Sequence, residues 1–262
     1  MEEDKKNRII LMGAGKLAWH LGPALREAGY SIIQVLSRTA DSARSLADSL
    51  ATGWTTDPGQ LDPAADILLY CVSDRVIPDL FCQIELSNRI MIHTAGSVPA
   101  DVFKGICRDY GVLYPVMTFS KDRKLDFKKI PICIEASSKE SLAVIEQMAG
   151  RLSDSVQHMD SDTRKVLHIA SIIASNFSNY MYYLSGNVLS TKDIDLELLK
   201  PLILETTLKI FEMDPLSAQT GPASRNDSEV IKDHIDLLKD RPELQKIYTF
   251  VSDSITNHFK SL

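Results

Sequence analysis

The chain has 262 residues, 44% of them hydrophobic, with a net charge of -6 and a pI near 5.5. That length and apolar share suffice to bury the core of one large domain or two modest ones. The acidic balance and the lack of a long Lys/Arg block exclude nucleic acid and anionic membrane surfaces as expected partners.

The chain starts MEEDKKNR, charged and without the apolar core of a signal peptide, and no apolar run approaches the roughly 18 residues of a membrane helix. A cytoplasmic protein is expected. RIILMG then reads as a strand, Leu17 to Ala28 as an amphipathic helix, SIIQVLS as a second strand and Ala40 to Leu50 as a second helix. DILLYCVS, IMIHTAGS, GVLYPVMTF and IPICIEA continue the series of short apolar runs. Such runs alternating with amphipathic stretches predict a mostly parallel sheet covered on both faces, an α/β Rossmann-like doubly wound fold. The cysteines, Cys71, Cys82, Cys107 and Cys133, form no C-x-x-C pair, so they read as buried reduced thiols, and no metal is expected. From Ser161 the pattern turns helical: Ser161 to Ser190, Leu196 to Met213 and two more helices after Asn226, with EMDPLSAQTGPASRND as the irregular link. The expected organisation is a dinucleotide-binding domain at 1–158 followed by an all-α substrate or dimerisation domain at 159–262.

Function enters at the first strand-to-helix turn. In GAGKLA, Gly13 permits the tight turn and Gly15 lets backbone approach a pyrophosphate at the helix N-terminus, with Ala14, Lys16 and Leu17 around it and Ala18 in the third small position. The second strand ends at Ser37-Arg38-Thr39 rather than at an acid. A carboxylate there would accept a ribose 2'-hydroxyl, whereas a 2'-phosphate needs donors and positive charge, so NADP(H) is the expected cofactor. Asp41, two residues later, reads as a helix cap. Ligands of parallel sheets sit beyond the carboxyl ends of the strands, which places Val72, Ser73, Thr94, Ala95, Gly96, Ser97 and Tyr114 around the same cofactor. His93 is either a substrate contact or a core histidine bonded to a neighbouring loop.

GAGKLA, HTAGSVPADVF, YPVMTF, ASNFSNYMYYL and LKPLILETTLKIFEMDPLSAQTGPASRND, in this order, resemble the proteins that join a Rossmann-like domain to a helical domain of unknown function, number 2520. More distantly the layout is similar to pyrroline-5-carboxylate reductase and the 6-phosphogluconate dehydrogenase superfamily, whose helical domains dimerise and close over the cofactor. The resemblance implies an NADP-dependent oxidoreductase and a homodimer. Two departures qualify the implied mechanism: Tyr114-Pro115 stands where the family commonly has His-Pro, and the lysine of the hydroxyacid dehydrogenase relatives has no counterpart here.

The helix expected from Ser161 offers its own chemistry. At 3.6 residues per turn, Arg164, His168, Ser171, Ser175, Asn179 and Tyr182 form a polar stripe on an otherwise apolar helix, with Asn176 at its edge. His168 is the expected proton donor, Ser175 and Asn179 would orient substrate, and Tyr114 is the alternative donor. Internal hydrogen bonding or a subunit interface would account for the stripe equally well. In TGPASRND, Arg225 is the candidate clamp for an anionic group and Asn226 or Asp227 the cap of the next helix, while Glu205 and Thr206 either line the same cleft or belong to an ordinary exposed helix face. The expected reaction is reduction of a small carbonyl or imine, or oxidation of the matching alcohol or amine. The competing expectation is a non-catalytic NADP(H)-binding protein that reports cofactor occupancy to a partner.

Overall fold

Short runs such as Ile9-Ile10-Leu11-Met12 bury every side chain, which a strand achieves only when both faces of its sheet are covered. The computed structural model, which describes residues 7–80 and 89–261, has this arrangement. Cys82 and residues 1–6, read above from sequence, lie outside the described residues. The chain divides into two compact units, residues 1–176 and 177–262.

In the first unit β1 (Arg8–Met12), α1 (Lys16–Glu27), β2 (Ser31–Leu36), α2 (Ala40–Ser49), β3 (Gly53–Thr55), β4 (Ile67–Tyr70), α3 (Ile77–Leu80), β5 (Ile90–His93), β6 (Asp109–Pro115), β7 (Ile132–Ala136), α4 (Lys139–Leu152), β8 (Val156–His158) and α5 (Ser161–Ser171) follow in order. The strands form one sheet in the order β3-β2-β1-β4-β5-β6-β7-β8. Pairing is parallel except between β6 and β7. The expected Rossmann-like fold is therefore present, and the chain reverses about β1, so β1, β2 and β4 direct their carboxyl ends to one crevice. Ile9 and Leu11 pack one face with Leu21 and Leu25 of α1, whereas Ile10 and Met12 pack the other with Leu68, Tyr70 and Phe103. Each such side chain, wholly buried, contributes about 1.5–3 kcal/mol.

Helix α4 starts at a reciprocal capping box, in which the Ser138 hydroxyl accepts from the Ser141 N–H and the Ser141 hydroxyl accepts from that of Ser138. Strands β3 and β8 and helix α4 go beyond the sequence expectations. Thr39, not Asp41, occupies the cap position of α2, and Asp41 lies in the first turn, where its charge opposes the helix dipole's positive end.

The second unit is helical: α6 (Ser178–Leu189), α7 (Lys200–Lys209), α8 (Ser228–Leu237) and α9 (Pro242–Lys260). One expectation needs correction. Residues 161–190 are not one regular α-helix, because Ile172–Phe177 form a π-helix between α5 and α6. The wider π turn takes up extra residues, so a stripe drawn at 3.6 residues per turn through His168, Ser175 and Asn179 is not continuous.

Candidate functional site

The crevice at the carboxyl ends of β1, β2 and β4 holds a cavity of about 560 Å³. Gly13, Ala14 and Gly15 form its floor, Ser37, Arg38 and Thr39 one wall, and Cys71, Val72 and Ser73 the other. The floor is built by close approach: Gly13 has φ +117°, and a Cβ there would stand 2.6 Å from the Cys71 carbonyl oxygen and 2.8 Å from Val72 Cγ1. Only glycine satisfies both demands. The Gly13 N–H donates to the Leu36 carbonyl at 2.7 Å, which fixes the turn against β2. Gly15 is the cap residue of α1, whose first turn carries no acid, so its positive end is available to a diphosphate. Lys16 is exposed at the start of α1, while Leu17 packs against the core.

Beyond Ser37 the wall suits a phosphate. Arg38 and Thr39 are exposed, the Thr39 hydroxyl donates to Ser42 Oγ at 2.9 Å, and Ser42 and Thr56 line the same cavity. Among the described residues the Arg38 guanidinium has no ion-pair or hydrogen-bond partner, so its donors are free for a ligand. Sequence reasoning missed Ser42 and Thr56. The turn-to-helix spacing Thr39-x-x-Ser42 was a signal for the first, and nothing local marks the second.

A second cluster lies beyond β5 and β6. Tyr114 Oη and His168 Nδ1 are 3.1 Å apart, a hydrogen bond whose direction follows the histidine tautomer, and the rings meet edge to face. Gly96 lies directly beneath: a Cβ there would come within 2.5 Å of His168 Nδ1 and 2.9 Å of Tyr114 Cζ. Burial pushes the Tyr114 phenol above its ordinary value, the nearby Ser171 hydroxyl pulls the other way, and Cys133 and Asp74 raise it further. The phenol therefore holds its proton at neutral pH. Asp74 also accepts a hydrogen bond from Ser97, joining the loops after β4 and β5.

Several expected residues turn out to be engaged elsewhere. His93 is 0% exposed; the Ala95 N–H donates to its Nδ1 at 3.2 Å, so Nε2 carries the proton and donates to the Pro99 carbonyl at 3.3 Å. Burial and the nearby Arg164 push its pKa down to about 3. It is a core histidine holding its own loop, which corrects the expectation of a substrate contact. Thr94 is buried too, and its hydroxyl donates to the Tyr70 carbonyl at 3.0 Å; Ala95 is buried beside it. The Ser175 hydroxyl donates to the Ser171 carbonyl at 2.9 Å and lies 3.0 Å from Asn176 Oδ1. The Ser171 hydroxyl likewise donates to the Leu167 carbonyl at 2.8 Å, so both serines bond back along their own helix. Burial pushes the Cys71 thiol up to about 12 and that of the half-buried Cys107 to about 11; Cys71 and Cys133 are the buried thiols expected, and Cys107 is only partly so.

In the second unit Asn179 and Arg225 are exposed. Asn226 adopts φ +55°, and Asp227 is the cap of α8, its carboxylate accepting from the Val230 N–H. Glu205 and Lys209 form an i,i+4 pair at 4.0 Å, and the Thr206 hydroxyl bonds back to the Leu202 carbonyl, the ordinary behaviour of an exposed helix face.

The family described as "NADP oxidoreductase coenzyme F420-dependent" matches residues 8–96, and "Domain of unknown function (DUF2520)" matches residues 130–255. A solved Bacteroides fragilis protein, provisionally named an NADP oxidoreductase, is 40% identical over 97% of this chain and 99% of its own, with a TM-score of 0.90. A reductive aminase from Aspergillus terreus in complex with NADPH is 13% identical, covering 96% of this chain and 94% of that one at a TM-score of 0.70. A 1-pyrroline-5-carboxylate reductase from Streptococcus pyogenes is 13% identical over 97% of this chain and 98% of that one, at a TM-score of 0.59. The last two are likenesses of fold. No curated protein matches the chain. Among the described residues no helix is long and apolar enough to cross a membrane.

Proposed function

The chain belongs to the family that joins an NADP-oxidoreductase Rossmann domain to the helical DUF2520 domain, and from that premise we propose that it is an NADP(H)-dependent oxidoreductase of a small carbonyl or imine, or of the matching alcohol or amine. The single observation that carries the reading is the Tyr114–His168 hydrogen bond at the strand ends beside the glycine-floored crevice. The crevice fits the dinucleotide: its floor excludes even a Cβ, the acid-free start of α1 receives the diphosphate, and Ser37, Arg38, Thr39 and Ser42 offer donors to a 2'-phosphate. The bound cofactor supplies the hydride chemistry.

The chain's own residues supply the rest. In the reductive direction a carbonyl or imine gains a proton on oxygen or nitrogen, and His168 is placed to give it. Tyr114, protonated at neutral pH, holds the imidazole and is the donor of second resort. Asn176, Asn179 and Arg225 remain candidate substrate contacts, Arg225 as a clamp for an anionic substituent. We set the functional division at 158/159, after the last strand, whereas the compact units divide at 176/177.

The assembly is a homodimer in this reading. Phe211 and Leu237 are each 80% exposed and Phe250 76%, and Leu198, Leu202 and Leu204 are exposed as well. Large apolar side chains exposed in this number are ordinarily covered by a partner, and a second copy is the simplest one. The test is titration with NADPH and NADH, followed by a panel of keto acids, ketones and cyclic imines with NADPH. Tighter NADPH binding and consumption on at least one compound class are expected. Equal affinities would remove the cofactor assignment.

A further inference from the structure

We propose that Arg164 is the positioning residue of the Tyr114–His168 pair: its buried guanidinium sets the height of helix α5 over the Gly96–Ala100 loop, and so brings His168 onto Tyr114. The proposal rests on the reading of that pair as the proton-transfer group. Period-two alternation gives the geometry its base. His93, Val112 and Glu135 are cross-strand neighbours on β5, β6 and β7, as are Tyr114 and Cys133, so all of them project from one face of the sheet. Helix α5 covers that face, and Leu167 packs on Val112, Tyr114 and Cys133.

Arg164 is 0% exposed beneath this helix. Its Nη1 donates to the Glu135 carboxylate, and its Nη2 donates to the Val98 carbonyl at 2.6 Å and to Ser161 Oγ at 3.3 Å. Ser161 donates to Glu135 in turn at 2.8 Å and accepts from the Ala100 N–H at 3.0 Å. One planar group thereby ties α5, β7 and the loop after β5. The loop is held at Val98 by Arg164 and meets His168 at Gly96, where the space left is less than a methyl group. His168 stands four residues after Arg164, on the same face of α5.

Stability alone does not account for the charge. Arg164 Nε is buried without a partner, and a buried ion pair is often no more stable than a well-packed apolar side chain. What the guanidinium fork provides, and neither an apolar chain nor the point charge of a lysine can, is fixed direction toward two acceptors at once.

The test uses the full chain carrying Arg164→Met or Arg164→Lys, with two readouts: a crystal structure and the 15N signal of the His168 imidazole. In both variants the Tyr114–His168 separation is expected to open beyond about 3.5 Å, the limit of a hydrogen bond, with loss of the hydrogen-bonded Nδ1 signal. NADPH affinity is expected to stay unchanged. Retention of the pair in Arg164→Met would make the group a packing element, and retention in Arg164→Lys would make it a charge alone; either result overturns the proposal. Failure of both variants to fold would also overturn it, since the fork would then serve the fold. Loss of the pair alongside undiminished turnover in His168→Asn would instead sink the assigned donor and leave the positioning role intact.

Discussion

At Gly13 two independent constraints, a left-handed φ and a neighbour at 2.6 Å, act on one atom that the residue lacks. Gly13→Ala is accordingly expected to abolish NADPH binding in a calorimetric titration and to lower the melting temperature. Arg38 is a different kind of residue, exposed and free, so Arg38→Ala should leave stability alone and narrow the gap between NADPH and NADH affinity by about 1–3 kcal/mol, the usual worth of a charge-assisted bond. His93 makes the fold sensitive to acid. Its pKa falls from 6.5 to about 3 on folding, so the unfolded chain binds the extra proton. Stability is therefore complete above about pH 6.5 and declines as pH falls toward 3, by at most about 1.4 kcal/mol per unit. Urea midpoints at pH 7 and pH 5 should differ less in His93→Gln than in the parent. The glycine floor and Arg38 were legible in sequence because strand, turn and helix fix where they lie. The role of His93 was not, because an apolar strand that ends in histidine reads the same whether the ring faces a cleft or a loop carbonyl.

Among elements, the longer strands were readable because apolar runs with β-branched residues, bounded by turn formers, have few alternatives. Strands β3 and β8, three residues each, carry too little pattern to register. The π-helix at Ile172–Phe177 escapes sequence analysis for another reason: its residues, Ile-Ile-Ala-Ser-Asn-Phe, fit an α-helix as well, so periodicity cannot reveal the added residue in the turn. Its effect is to break the register of the stripe between His168, which reaches Tyr114, and Ser175, whose hydroxyl is engaged along its own helix. Helix α5 meets the loop after β5 at Gly96, and that contact is directly testable. Gly96→Ala places a methyl group where His168 and Tyr114 now lie, and overpacking of this kind costs about 1–3 kcal/mol. A denaturation midpoint equal to that of the parent would show that the helix yields freely, and the pair would then be looser than its geometry indicates.

For the molecule as a whole, the two units differ in how they bury their apolar residues. The first closes both faces of its sheet, whereas the second leaves Phe211, Leu237 and Phe250 largely in solvent. The dimer expected from the helical pattern would cover them, so light scattering at micromolar concentration should give about twice the 29.2 kDa chain mass. A glutamate at Phe211 should shift that mass toward the monomer if the surface is the interface. The glycine-floored crevice and the Tyr114–His168 pair both belong to the first unit, and the proposed function joins them as one catalytic site. The most direct test of that claim is the rate of NADPH consumption by His168→Asn and by the parent on the same carbonyl or imine substrate, with NADPH affinity measured in each. The account predicts equal affinity and turnover lowered by roughly 100-fold or more in the variant, the scale of lost acid–base catalysis. Equal turnover in the two proteins, or no consumption by the parent across the panel despite tight NADPH binding, would contradict it.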